Sequence, residues 1–126
     1  MAGRLQGKAA LVSGGATGMG GATSALFADE GARVAIVDRN GEAAEALASE
    51  IRSRGGDAIA VAADVSRAED VAAAVVEVEA AFGRIDVLFN HAGSIVIKPF
   101  LETTEEEWDR LTAINVKSMF LMTKAV

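Results

Sequence analysis

Apolar runs of strand length alternate with stretches of helical period four times along the chain, in units of roughly 30 residues, the size of a βα repeat. The runs predict strands over residues 9–13, 33–38, 58–62 and 85–90. A first helix is expected from about residue 19 to 30, stopped by Gly31. A second, from about 42 to 54, carries Ala44, Leu47 and Ile51 on its inner face and stops at Gly55-Gly56. Ser66 and Glu69 read as a capping box ahead of a third helix with the stripe Val71, Val75, Val78 and Phe82. Thr104 and Glu107 read as a second box, ahead of a helix from about residue 105 to the end. Strands this continuously apolar need cover on both faces, the habit of parallel sheets. With right-handed crossovers, the units predict an α/β fold built on a doubly wound parallel sheet of strand order 3-2-1-4. No internal linker is visible, so residues 1–126 read as one domain. The fourth strand would carry an unpaired apolar edge, and the last helix shows no stop signal at Thr123-Lys124-Ala125-Val126. The sequence is therefore expected to be part of a longer protein, interrupted before a fifth strand.

Composition narrows the function. Lys and Arg number 12 against 18 Asp and Glu, a formal charge of -6. No basic cluster stands out, which argues against nucleic acid and against an anionic membrane surface as partners. No apolar run approaches the roughly 20 residues of a bilayer span, and the stretch before Ala16 lacks the apolar core of a secretory signal. Without cysteine, disulfides and thiolate metal sites drop out, and a reducing cytoplasm fits. Tyrosine is absent too, so no mechanism within these residues can use a phenol. Glu105-Glu106-Glu107 resembles a metal cluster, yet three carboxylates in a first helical turn are explained by the helix dipole. No metal is expected.

Between the first strand and first helix lies Ser13-Gly14-Gly15-Ala16-Thr17-Gly18-Met19-Gly20. Glycines there permit a tight turn and let backbone N–H groups approach a pyrophosphate at the positive end of the helix. Asp38 closes the second strand 18 residues past Gly20. A carboxylate at that place accepts hydrogen bonds from both ribose hydroxyls of an adenosine and repels a 2′-phosphate. Arg39 follows, and guanidinium groups recognise phosphate. Asp38 comes first, so NAD is expected over NADP. His91 stands alone among possible acid–base groups near neutrality, with no Ser, Asp or metal-ligand constellation, and reads as a structural residue.

From about Lys8 onward the sequence resembles the short-chain dehydrogenase/reductase family, whose nucleotide half is a Rossmann-type sheet. The family's T-G-x-x-x-G-x-G loop appears as the stretch from Ser13 to Gly20, with Ser13 in the place of Thr. Its Asp-Val appears as Asp64-Val65, and its Asn-Asn-Ala-Gly as Asn90-His91-Ala92-Gly93, where His91 departs from the pattern. Its helix asparagine appears as Asn115. The resemblance implies cofactor contacts from Ser13, Gly14, Thr17, Gly18, Met19, Gly20, Asp38, Arg39, Asp64, Val65, Asn90, Ala92 and Gly93. Of the catalytic tetrad it implies Asn115 alone, holding a water in a proton relay. The family's serine and Tyr-x-x-x-Lys have no match here. Asn115 also has a reading of its own. Trp108, Leu111, Asn115, Ser118 and Met122 recur at intervals of three and four, so they share one face that should be buried. An amide among them needs partners, and a bond to neighbouring backbone would serve structure alone.

The expectation is an NAD(P)-dependent oxidoreductase passing hydride between nicotinamide and a small alcohol or carbonyl compound, its acid–base tyrosine outside these residues. The alternative is a dinucleotide-binding sensor or pseudoenzyme. The last helix is apolar on more than one face, and family members commonly pair through it, so a homo-oligomer is expected. The substrate is not legible.

Overall fold

A computed structural model describes residues 3–126. Strands β1 (Ala9–Ser13), β2 (Arg33–Asp38), β3 (Asp57–Ala62) and β4 (Val87–Asn90) form one parallel sheet in the order β3-β2-β1-β4. The register sets Leu11 beside Ala35 and Leu88, and Val12 beside Ile36 and Phe89. Side chains alternate across a strand, so the two faces take different residues. Leu11, Ala35, Val37 and Val61 face α3 (Ala68–Phe82) and Met122 of α5 (Ser118–Ala125). Val12, Val34, Ile36 and Ala58 face the other way, against Ala28 of α1 (Gly18–Asp29) and Ala44, Ala48 and Ile51 of α2 (Gly41–Ser53). Alanines at the α2 contacts let that helix lie close on the sheet. The doubly wound order is the one the sequence predicts, with both faces covered.

The strand β4 has a neighbour on one side only, and all four of its residues are partly exposed. It starts later than its apolar run, because Asp86 joins β1 in another way. Its Oδ2 accepts from Ala9 N–H at 2.9 Å, while its own N–H donates to the Ala9 carbonyl at 2.8 Å.

Two local expectations fail. The Ser66–Glu69 capping box does not form: α3 starts after Arg67, without a side-chain cap. Ser66 Oγ is already engaged with Asp64 Oδ1 at 2.6 Å, and Asp70 reaches back from the first turn to accept from Asp64 N–H at 2.8 Å. The last helix does run from Glu105 to Ala125, but the single buried face expected of it fails. It is α4 (Glu105–Thr112), a wide turn of π type over Ala113–Lys117, then α5. One extra residue in a turn rotates the helix face by about 100°, so residues spaced by three and four across the turn no longer share a side. Met122 is fully buried, whereas Trp108 is 63% exposed. At the start of α4, Thr104 does cap, accepting from Glu107 N–H at 3.1 Å. The Glu107 carboxylate completes no reciprocal bond and turns instead to Lys98 at 2.7 Å.

Candidate functional site

The carboxyl ends of the four strands open on a cavity of about 660 Å³, within the size range of small-molecule and cofactor sites. Its floor is the turn from β1 into α1. Gly14 adopts φ 62°, and a Cβ there would stand 2.9 Å from Ala92 Cα. Gly20, in the first turn of α1, is tighter still: a Cβ would meet the Gly14 carbonyl oxygen at 2.0 Å and His91 Cδ2 at 2.7 Å. No side chain fits between this turn and the segment that follows β4.

Charge singles out the start of α1. Thr17 precedes it without a side-chain capping bond, and its first turn holds no acid. By contrast, α2 is capped by Asn40 and carries Glu42, α3 carries Glu69 and Asp70, and α4 carries Glu105, Glu106 and Glu107. Unpaired N–H groups and the positive end of a 12-residue helix therefore face the cavity, where an anion would satisfy both.

The walls come from the other strand ends. Asp38 Oδ2 accepts from Ala16 N–H at 3.2 Å and its Oδ1 from Asn40 N–H at 2.9 Å. Each oxygen keeps a further acceptor site, so the carboxylate is held in place while still able to take two hydroxyls. Arg39 lies beside it, and Ala63, Asp64 and Val65 line the third side. The Ser66 hydroxyl, bonded to Asp64, holds that carboxyl below the ordinary carboxylate range against an opposing desolvation, with further help from the Ser66 amide and the charges of Arg39 and Arg67. The last wall is His91 to Ile95, with Arg110 and Ile114 from the last helix and its wide turn.

The cavity brings together Gly14, Thr17, Gly18, Met19, Asp38, Arg39, Asp64, Val65, Ala92 and Gly93 from among the sequence candidates. Ser13, Gly20, Asn90 and Asn115 stand behind its surface. Ser13 is 2% exposed, and its hydroxyl accepts from the N–H of His91 at 3.0 Å and of Ala92 at 3.1 Å while donating to the Phe89 carbonyl at 3.4 Å. Asn90 turns its amide to Thr123 Oγ1 of α5, 3.2 Å away. Asn115, in the wide turn, grips one residue from both sides: its Oδ1 accepts from Ser94 N–H at 2.8 Å and its Nδ2 donates to the Ser94 carbonyl at 2.9 Å. Val37, Ala63, Ser94, Ile95, Arg110 and Ile114 line the cavity without having been singled out, and so does His91, which the sequence marks only as a structural residue. For Val37, Ala63, Ser94 and Ile114 adjacency to a candidate was the available signal; Arg110 had none.

A model of the short chain dehydrogenases matches residues 8–126. The chain belongs to the short-chain dehydrogenase family. Among its relatives are a D-threitol dehydrogenase of Mycolicibacterium smegmatis, 46% identical over 98% of this chain and 47% of the relative. A cyclopentanol dehydrogenase of Comamonas is 44% identical over 98% of this chain and 50% of its own length. Among solved structures, a 3-ketoacyl-(acyl-carrier-protein) reductase of Brucella melitensis complexed with NADH superposes with a TM-score of 0.88 at 41% identity, covering 95% of this chain and 48% of that one. A hydroxysteroid dehydrogenase of Escherichia coli gives 0.93 at 32% identity, over 98% and 52%. The chain thus spans about half the length of these relatives, and its sheet is the Rossmann-type sheet of the short-chain dehydrogenases. Among the described residues no group of His, Cys, Asp and Glu is placed to hold a metal, and no helix is long and apolar enough to cross a membrane.

Proposed function

We propose that this short-chain dehydrogenase chain is the nucleotide-binding part of an NAD-dependent oxidoreductase that acts on a small alcohol or carbonyl compound. The observation that carries the reading is the uncapped, acid-free start of α1 facing the same cavity as the fixed carboxylate of Asp38. The residues fit a dinucleotide. The amides of Gly18 and Met19 would take the pyrophosphate, and Asp38 the adenosine ribose hydroxyls. Asp64 and Val65 would flank the adenine, and Ala92 and Gly93 would line the nicotinamide ribose. Bound nicotinamide would supply the hydride chemistry. Ser13 and Asn115 support this wall from behind. Asn115 acts on the reacting end by fixing Ser94, and its relay role rests on resemblance. No tyrosine exists among the 126 residues, so the acid–base phenol belongs to sequence outside them. The same absence favours a second reading, a binder without turnover; a reading frame that continues past Val126 into a Tyr-x-x-x-Lys decides for the enzyme. Exposed Val116, Met119 and Phe120 on the last helix support a homo-oligomer formed through that face. The acidic, cysteine-free composition accords with a cytoplasmic protein.

Calorimetric titration tests the cofactor. NAD is expected to bind, and NADP more weakly, because Asp38 repels a 2′-phosphate. Asp38→Ala should weaken NAD about tenfold, the loss of charge-assisted hydrogen bonds, and should narrow the gap to NADP. An NADP affinity ten times that of NAD, or no NAD binding at all, overturns the assignment.

A further inference from the structure

We infer that the imidazole of His91 is a proton-dependent ligand for phosphate held at the start of α1, an inference that rests on the dinucleotide reading above. His91 is the one histidine of the chain. Its backbone N–H is pinned by Ser13 Oγ at 3.0 Å, and its ring leans on Phe89 with centroids 5.3 Å apart and planes 36° apart. The ring also fills the space that a side chain at Gly20 would need, with Cδ2 2.7 Å from that Cβ position. It therefore packs against the first turn of α1, and His91 lines the same cavity as Gly14, Thr17 and Gly18. No described residue hydrogen-bonds either ring nitrogen, unlike the backbone amide of the same residue. The ring is thus fixed in position with its donors uncommitted, beside a helix end that wants an anion.

Charge determines the consequence. The stretch from Ser13 to Ala28 contains no titratable side chain, so nothing on the β1–α1 turn, or on α1 ahead of its last residue Asp29, competes for the imidazolium. A phosphate lying between the positive helix end and an imidazolium would be attracted to both. Charged groups reach the cavity from the end of β2 and the residue after it (Asp38, Arg39), from the segment after β3 (Asp64) and from α4 (Arg110), and α5, which packs beside β4, carries Lys124. Carboxylates, ammonium and guanidinium groups ordinarily keep their charge between pH 6 and 8, whereas imidazole changes its own. Pyrophosphate binding and protonation of His91 therefore support one another, and the complex takes up a proton as it forms. NAD is the suitable probe, because its diester phosphates stay ionised over this range, while the 2′-monoester of NADP titrates near pH 6.

The test is calorimetric titration of the whole protein with NAD at pH 6, 7 and 8, in buffers of different ionisation enthalpy. NAD affinity is expected to rise roughly three- to tenfold from pH 8 to 6, with an observed enthalpy that tracks the buffer and so reports proton uptake. Adenosine, which has no phosphate, should bind with no such slope, and H91N should flatten the slope for NAD while binding persists. NAD binding that is flat with pH and free of proton uptake overturns the role of His91 and leaves the dinucleotide reading intact. An equal slope for adenosine, or an undiminished slope in H91N, overturns it as well. The wild-type slope, the adenosine comparison and the buffer dependence need no variant, so a misfolded H91N does not blunt the test. Absence of NAD binding at every pH overturns both readings together.

Discussion

Gly14 shows how a single residue joins two requirements. Its φ of 62° lies in the left-handed region, and its missing side chain lets Ala92 approach to 2.9 Å from the Cβ position. Gly14→Ala meets both penalties: about 1–2 kcal/mol for the backbone conformation, and a displacement of the Ala92 segment. Chemical denaturation should register that loss, and NAD titration should show binding weakened by tenfold or more; an unchanged affinity would remove the turn from the site. The glycines and Asp38 were legible because their residue types are dictated by backbone geometry and charge. The work of Ser13 was not. A hydroxyl at a strand end reads as a cavity group, and only the parallel pairing of β1 with β4 reveals that it turns inward to the segment after Phe89.

At the scale of elements, β1 and β2 could be read from apolar runs because burial on both faces leaves little choice of residue type, and the partly covered β3 and β4 kept enough of the pattern to follow. The last helix could be read in extent but not in facing, since a wide turn at Ala113–Lys117 leaves no mark in hydrophobic spacing. That turn aims Asn115 at Ser94, on the loop after β4, where both of its amide atoms are used. Asn115→Ala strips partners from an N–H and a carbonyl together, at a cost of about 1–3 kcal/mol where water does not replace them. Thermal unfolding should show the lowered stability. NAD affinity should fall with it, since Gly93 and Ser94 line the cavity; a purely catalytic asparagine would leave binding unmoved. The unused box at Ser66 carries the same lesson. Its hydroxyl had a nearer charged acceptor in Asp64, and local sequence gives no ranking between the two.

At the scale of the whole molecule, three carboxyls among the described residues are held below their ordinary range. The Ser66 hydroxyl does so for Asp64, the Ala9 amide and then Arg84 for Asp86, and Lys98 for Glu107. Depressed carboxyls stabilise the fold above their unfolded values, near pH 4, and that stability is lost as pH falls through the lower folded values. Urea unfolding should therefore have a lower midpoint at pH 3 than at pH 7, and Asp86→Asn should reduce the difference. Equal midpoints would mean that these bonds contribute nothing to folding. In this frame Asp86 fastens the entrance of β4 to the start of β1, and Ser13 fastens their exits. Strand β1 and the edge strand β4 are thus stapled top and bottom. Any breathing that lifts the tip of one should carry the other along, so the glycine turn and the wall opposite it would loosen as a single jaw rather than as two loops.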